Sequence, residues 1–272
     1  MIGRLLIAAI FIPVFAWLTT LDNPVYYNII IAASLIAGLI EFSVMFKRGG
    51  IKIFTSLNIL VLLATLISLH QFRSDIFSAG LLYRALAILA FYIVFIIVYS
   101  LFAQDVKDIV QRFVFSFFGA VYIVFLGSSL FFVRSIGPYN TLFLFAVVWF
   151  YDSGAYFIGS KFGKRKLSPY ISPKKTIEGL VGGIIVTLLI ITALKYIKIT
   201  SVLVPYDNIG YVYVLVIVLC LAAQAGDLLE SMLKRYCGVK DSSNLLMGHG
   251  GVLDKLDSFL IAAPVYLLLA AL

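Results

Sequence analysis

Charge is the property that this sequence has least of. Only 12% of its 272 residues are charged, whereas 62% are hydrophobic. Soluble globular proteins carry about 25% charged residues, enough to cover a surface that faces water. The mean hydropathy of +1.08 also lies far on the apolar side. The composition therefore excludes an ordinary soluble domain and predicts an integral membrane protein.

Cysteine and histidine are scarce as well, with two of each in the chain. They do not have the spacing of a zinc site. Cys220 lies in an apolar run and Cys237 in a loop that we expect on the cytoplasmic side, so both are predicted to be free thiols. The chain also lacks a Walker-type glycine loop and a GxSxG motif. These absences argue against a P-loop NTPase and an α/β-hydrolase.

The net charge of +8 has two interpretations. A basic chain can bind nucleic acid, but here the positive residues flank apolar runs. Basic residues in that position face anionic lipid headgroups. We therefore expect membrane lipids as partners and no nucleic acid.

Long apolar runs are what the chain has in abundance. A membrane-spanning helix needs about 20 mainly apolar residues. The runs predict an all-α, polytopic integral membrane protein with about nine transmembrane helices. The predicted spans are 4–20, 25–46, 52–70, 79–101, 110–133, 138–158, 179–197, 208–226 and 252–272.

The loop charges predict the orientation of these spans. With the N-terminus inside, 15 of the 21 basic residues fall on the cytoplasmic side and four on the other. This asymmetry follows the positive-inside rule and predicts an N-in, C-out protein of the cell membrane. We expect residues 1–107 to form a scaffold for lipid and dimer contacts. Residues 108–272 are then the catalytic region, with its site at the cytoplasmic face.

The acidic residues indicate where the chemistry lies. Seven of the 13 fall in three short blocks of the C-terminal half, close to apolar runs. Ionisable groups at membrane depth are costly and indicate function by default, although each one alone could form an ion pair or a helix cap. The blocks contain Asp152; Glu178; and Asp227, Glu230, Asp241, Asp254 and Asp257. Most of the other six lie in loops, but Glu41 is inside a predicted helix.

The first block, VVWFYDSGAYFIGSKFGKRK, places Asp152 directly after an apolar run. Such a carboxylate needs a polar cavity beside its helix. Gly154, Gly159 and Gly163 allow either close helix packing or the approach of backbone to a phosphate.

In the second block, YISPKKTIEGLVGG, Ser172 and Pro173 are typical of a helix start. Lys174 and Lys175 would then lie in the first turn, where they could hold an anion together with the free N–H groups. The alternative is that both lysines extend towards lipid headgroups. Thr176 is a second possible cap, and Glu178 could take part in a capping arrangement.

The third block, residues 226–257, concentrates polar residues between two apolar runs. Asp227, Ser231 and Lys234 lie along one face of a predicted helix, and Glu230 joins that face. Asp254 and Asp257 are three residues apart and point the same way from the start of the last helix. Two helix ends thus offer carboxylate oxygens, which suit Mg²⁺.

Basic and glycine residues accompany these carboxylates. Lys234, Arg235 and Lys240 are cations suited to a polyphosphate, and the glycines around His249 let backbone approach a ligand. These residue types point to Mg²⁺-dependent phosphoryl or nucleotidyl transfer at the cytoplasmic surface of a membrane. Such reactions depend on positioning and charge neutralisation.

The three blocks together resemble the phosphatidate cytidylyltransferase family, also called CDP-diacylglycerol synthases. The resemblance covers about residues 146–257, and the first half resembles the family only as a string of membrane helices. The matching positions are Asp152-Ser153, Ala155-Tyr156, Gly159, Gly163, Ser172 to Thr176, Glu178-Gly179, Gly182-Gly183, Gly226 to Arg235, Lys240-Asp241, His249 to Gly251, Asp254 and Asp257. Two positions depart from the pattern: Met247 replaces proline or another small residue, and Lys255 replaces an arginine, losing its planar fork.

The resemblance implies that CTP and phosphatidate react to give CDP-diacylglycerol and pyrophosphate. It also implies Mg²⁺, in some members a second, monovalent cation such as K⁺, and a homodimer. Under this interpretation the catalytic residues are Asp227, Lys234, Asp254 and Asp257, with the three aspartates as metal ligands. The residues that bind substrate are Asp152, Ser172, Lys174, Lys175, Ser231, Arg235, Lys240, Asp241, His249, Gly250 and Gly251.

Two other functions remain open from the residues. A CTP-dependent lipid kinase of the polyprenol, dolichol or phytol type would use the same metal chemistry but release CDP rather than pyrophosphate. A transporter or anion channel would spread its polar residues through several spans, whereas here they are concentrated at one face.

Overall fold

The computed structural model describes residues 12–71, 79–102, 105–197, 203–243, 245 and 250–270. Within these ranges the fold is helical apart from one short β-hairpin, which confirms the all-α class. Helical residues 12–20 come first. The elements that follow are α1 (Val25–Arg48), α2 (Thr55–Gln71), α3 (Ala79–Ser100), α4 (Val106–Ile136), α5 (Pro138–Phe162), β1 (Lys166–Ser168), β2 (Ser172–Thr176), α6 (Ile177–Tyr196), α7 (Ile209–Tyr236) and α8 (Leu253–Ala270).

Each predicted span overlaps a helix in the described residues, but not every helix has the properties of a span. Six of them, α1 and α3 to α7, are long and apolar enough to cross a membrane. Residues 12–20 and α2 are shorter, and α8 carries three charged residues near its start. The count of nine transmembrane helices thus remains a prediction.

The core lies between α1, α4, α5, α7 and α8. The last helix, α8, packs against each of the other four, and its Leu260 and Tyr266 are fully buried. By contrast, the main helix contacts of α3 are with α2 and α4, and it exposes large apolar side chains such as Phe91. Lipid tails are as apolar as these side chains, so their exposure costs little in a bilayer. A buried core and an apolar outer face are what a membrane helix bundle requires.

Close packing of α5 on α6 explains the glycines of the first block. A Cβ added at Gly183 would come within 2.9 Å of the Ala155 Cβ, and one added at Gly154 would come within 3.2 Å of the Gly183 backbone. Gly159 packs in the same way against Gly179. Small residues let two helix backbones approach in a membrane. Of the two interpretations left open for Gly154 and Gly159, the structure supports helix packing.

The charged helix ends lie together at one end of the bundle. The backbone at Gly49, just after α1, packs against Cys237, just after α7, and the Phe54 N–H donates to the Ser116 hydroxyl at 2.8 Å. At the opposite end, Arg134 donates to the Leu21 carbonyl at 2.7 Å. Within the described residues, loops predicted to share one side of the membrane therefore lie at the same end of the fold. Which of the two sides faces the cytoplasm remains a prediction.

The segment before α6 differs from the sequence-based expectation. Residues Ser172–Thr176 form a strand that pairs antiparallel with Lys166–Ser168, and the helix starts only at Ile177. The prediction that Ser172 and Pro173 begin a helix was wrong. Thr176 is the cap, because its side-chain oxygen accepts from the Gly179 N–H at 3.1 Å. Lys174 and Lys175 consequently lie on a hairpin rather than in a first helical turn.

Candidate active site

Helix α7 carries the polar face that the spacing predicted. It continues to Tyr236, well past its apolar part. The Ser231 hydroxyl lies 3.3 Å from an oxygen of Asp227, and Lys234 contacts Glu230 one turn earlier. The i,i+4 spacing brings each of these pairs together. The face is therefore a connected polar surface within a mainly apolar helix.

Lys234 connects α7 to the start of α8. Its ammonium contacts Glu230, whose side chain is fully buried, and lies 2.6 Å from Oδ1 of Asp254. Burying one charge is costly unless it is paired, and removing one partner would leave the others uncompensated. Lys234 thus holds a fixed place between two carboxylates.

Asp254 is bonded through both of its oxygens. Oδ1 faces Lys234, while Oδ2 accepts from the Gly251 N–H at 2.7 Å and the Ser242 N–H at 3.1 Å. The Ser242 hydroxyl lies 2.8 Å from the same oxygen. These contacts tie the loop after α7 to the first turn of α8.

Asp257 lies in different surroundings from Asp254, although the two are one turn apart. It is buried, and its Oδ1 accepts from the Ser258 N–H at 2.6 Å. Its charge is repelled by those of Asp227 and Asp152, which come from α7 and α5. Three helices, which carry the first and third sequence blocks, thus bring carboxylates towards one region.

The hairpin contributes cations to this region. Lys175 lies 2.5 Å from Oδ2 of Asp227, and its charge also acts on Asp152. Arg235 donates to the Ile171 carbonyl at 3.2 Å, which fixes the hairpin turn against α7. Ser172 is half-buried on the same strand, and Lys174 is exposed. The second block is therefore brought against the third by tertiary contacts.

Glu178 anchors the other end of the hairpin. Its Oε2 accepts from the Lys164 and Arg165 N–H groups at 3.0 and 3.1 Å, and its Oε1 pairs with the Arg165 guanidinium. The expected capping role with an upstream Ser or Thr is not what the structure shows. Because Gly179 occupies the position that a capping box requires for glutamate, Glu178 binds the chain that leaves α5 instead.

The remaining predicted residues lie in the loop between α7 and α8. Lys240 and Asp241 are exposed, and Gly250 and Gly251 lead into α8. His249 and Met247 lie outside the described residues. Cys237 is buried, which raises the pKa of its thiol to about 11. Both cysteines are free, as predicted, and Cys237 is protonated at neutral pH.

Glu41 is a site residue that the sequence analysis did not select. It is buried in α1 at 4% exposure, and its carboxylate accepts from the Val252 and Leu253 N–H groups at 2.9 and 2.8 Å. The hydroxyls of Ser242 and Ser243 lie 3.1 and 2.7 Å from it. In the sequence, the one indication of its importance was that it is an acidic residue inside a predicted helix.

The carboxylates of the site meet part of what a metal ion requires. In the described part of the chain, no three acidic, histidine or cysteine side chains form a ready-made metal site. Mg²⁺, however, commonly takes only one or two carboxylates and completes its shell with water and phosphate. Asp227 and Asp257 offer such oxygens. Beside them, the Tyr122 hydroxyl and Oε1 of Glu230 are buried with no hydrogen-bond partner among the described residues. Orphaned oxygens in an anionic region fit a bound cation.

Several bacterial proteins are similar to this chain. The profile of the cytidylyltransferase family matches residues 2–272. A phosphatidate cytidylyltransferase of Bacillus subtilis (strain 168) is 48% identical over 144 residues, 51% of each chain. Proteins of the same name from Staphylococcus haemolyticus (strain JCSC1435) and Staphylococcus aureus (strain COL) are 45% and 44% identical over 133 residues, 48% of this chain and 49% of theirs. The chain spans about half the length of the curated relatives it matches.

Proposed function

Because the chain belongs to the cytidylyltransferase family, we propose that it transfers the cytidylyl group of CTP to phosphatidate, giving CDP-diacylglycerol and pyrophosphate. The names of its relatives support this substrate pair. The structural observation that carries the proposal is the meeting of Lys175, Asp227, Lys234 and Asp254 at one end of the bundle. Such a mixture of paired cations and carboxylates suits a reaction between two phosphates.

The reaction joins two anions that repel each other. An oxygen of the lipid phosphate attacks the α-phosphorus of CTP, a new P–O bond forms, and the bond to pyrophosphate breaks. A phosphate monoester is already a nucleophile, so the site needs no strong base. Catalysis of this kind depends on preorganised charge aimed at the phosphoryl oxygens. The cations and metal ligands of the site are suited to that role.

Asp227 and Asp257 would hold Mg²⁺, and Asp254 is the third predicted ligand. The bound ion supplies charge neutralisation and alignment of the triphosphate. We assign the lipid phosphate or the leaving pyrophosphate to Lys234, Arg235 and Lys240. A further monovalent cation and a homodimer remain predictions from the family resemblance.

The hairpin and the membrane helices would bind the rest of the substrates. Lys174 and Lys175 extend the cationic surface over the end of α7, and Ser172 and Ser231 are hydroxyl donors nearby. Asp152, which is exposed on α5, would contact the lipid headgroup from the side of the bundle. Asp241, His249, Gly250 and Gly251 complete the predicted substrate-binding set. We place this site at the cytoplasmic face of the cell membrane, where CTP is present.

The proposal is tested with purified protein in detergent, α-labelled CTP, phosphatidate and Mg²⁺. We expect label in the lipid product and release of pyrophosphate, both abolished by EDTA. An unlabelled lipid, together with γ-label transferred to a polyprenol or similar alcohol, would contradict the proposal and favour the lipid kinase.

A further inference from the structure

We propose that Glu41, in the scaffold half of the chain, is a positioning residue for the site. It holds the loop after α7 and the first turn of α8 so that Asp254 meets Lys234. The effect on catalysis rests on the proposed function, whereas the effect on the loop does not.

The carboxylate of Glu41 is fully engaged. Oε1 accepts from the Ser243 hydroxyl at 2.7 Å and the Val252 N–H at 2.9 Å, and Oε2 accepts from the Leu253 N–H at 2.8 Å. The hydroxyl of Ser242 lies between Oε2 of Glu41 and Oδ2 of Asp254, at 3.1 and 2.8 Å. That hydroxyl has one proton, so it links the two carboxylates but donates to one at a time. A buried charge with this many donors is stabilised without a cation.

Glu41 also places a negative charge at the N-terminus of α8. The first N–H groups of a helix have no partner within the helix, and its N-terminus favours negative charge. Here a carboxylate from α1 binds the Val252 and Leu253 N–H groups. Those two N–H groups are therefore not available to bind a substrate phosphate. This directs the phosphates towards the hairpin lysines and Arg235 instead.

The glycines before α8 fit this arrangement. A Cβ at Gly251 would overlap the Ser242 hydroxyl and the Glu41 carboxylate, so no side chain fits there. Gly250 has a φ of 81°, and a Cβ there would lie 2.6 Å from Oδ2 of Asp254. From the sequence, these glycines were predicted to let backbone approach a ligand. The structure supplies an internal reason, the close approach of two carboxylates.

Glu41 reaches the site through Asp254. Oδ2 of Asp254 accepts from the N–H and the hydroxyl of Ser242 and from the N–H of Gly251. Glu41 contacts the same Ser242 hydroxyl and binds the residues that directly follow Gly251. The other oxygen of Asp254 contacts Lys234. Loss of Glu41 would therefore free the loop and displace Asp254 from the lysine. Small misplacements of a reacting site have large effects on rate.

The test compares Glu41→Gln with Ser43→Ala. Both oxygens of Glu41 accept from backbone N–H groups. In glutamine one of these oxygens is replaced by an NH₂ group, which cannot accept, so one backbone N–H loses its partner in either orientation of the amide. Ser43, on the same helix, contacts Thr55 and has no hydrogen bond with the described residues of the loop. For Glu41→Gln we expect kcat to fall by about 10–100-fold, with a much smaller change in the KM for CTP. Ser43→Ala should stay close to the parent protein in both.

Hydrogen exchange provides a readout that does not need activity. In Glu41→Gln, amides 250–254 should exchange faster while those of α5 and α6 are unchanged. If Glu41→Gln does not accumulate, Ser243→Ala removes one donor to Glu41, a hydroxyl that also accepts from the Leu245 N–H, and should show a smaller increase in the same amides. Unchanged exchange at 250–254, or kcat within about twofold of the parent, would overturn the proposal. Loss of protection throughout the bundle would also overturn it. If the parent protein makes no product, the proposed function fails, and exchange at 250–254 still decides the role of Glu41.

Discussion

Lys175 and Asp227 form the ion pair that joins the hairpin to α7, with Nζ and Oδ2 2.5 Å apart. The two side chains are 21% and 33% exposed, but the ammonium nitrogen of Lys175 is itself buried, and its contact with Asp227 lacks the geometry of a hydrogen bond. An ion pair without a hydrogen bond is weaker than a charge-assisted one, which makes this pair easier to open. Lys234 differs, because its partner Glu230 is fully buried and Asp254 is only 11% exposed. We infer that Lys175 can change partners when phosphate arrives, whereas Lys234 keeps its place.

Exchange of Lys175 between Asp227 and substrate gives the first prediction. Lys175→Gln should lower kcat/KM for CTP by about 10–100-fold, because one charge-assisted contact to phosphate is lost. The neighbouring Lys174→Gln is the matched control, because Lys174 is exposed on the same strand. We expect a loss of less than about fivefold there. Steady-state kinetics in detergent measure both, and equal losses in the two variants would contradict the special role of Lys175.

The proposed metal role of Asp227 gives the second prediction. Asp227→Asn should reduce turnover by about 100-fold or more, since a charged ligand becomes a neutral amide. The protein should still purify as a monodisperse membrane protein. Asp207→Asn is the control, an exposed aspartate just before α7, at its other end. It should leave turnover unchanged, and turnover of Asp227→Asn at the level of the parent would remove Asp227 from the metal site.

Lys255 gives the third prediction. It is exposed, and its charge acts on Asp152. Lys255→Arg restores the residue typical of the family and keeps the charge, so we expect kcat/KM within about twofold of the parent. The assay with α-labelled CTP measures this. A large loss would mean that the surroundings of residue 255 have adapted to lysine.

Orientation gives the fourth prediction. Cys220 and Cys237 are buried and should react little, so an introduced thiol can be read against a low background. Asp207→Cys should be labelled by an impermeant maleimide on intact cells, and Lys174→Cys only after permeabilisation. The reverse pattern would show that the site faces outwards and that the predicted orientation is wrong.

Much of the fold could be predicted because it depends on local properties. The length of each apolar run, set by the thickness of a bilayer, predicted where the helices of the described ranges lie. The spacing of Asp227, Ser231 and Lys234 predicted their common face, because helix geometry relates residues only three and four positions apart. The hairpin was missed for the opposite reason. A Ser-Pro pair is typical of a helix start, but pairing with residues 166–168 and the contacts of Glu178 decided otherwise.

The sequence by itself determined the class of protein, the helical runs and the residue types of the site, because these depend on composition and short spacing. Only the tertiary structure decided that Lys175 meets Asp227 and that Asp254 uses both oxygens within the chain. It also placed Glu41 against Ser242, 201 positions away. Contacts between distant residues depend on how the whole bundle packs, and the spacing of residues along a single sequence does not predict them.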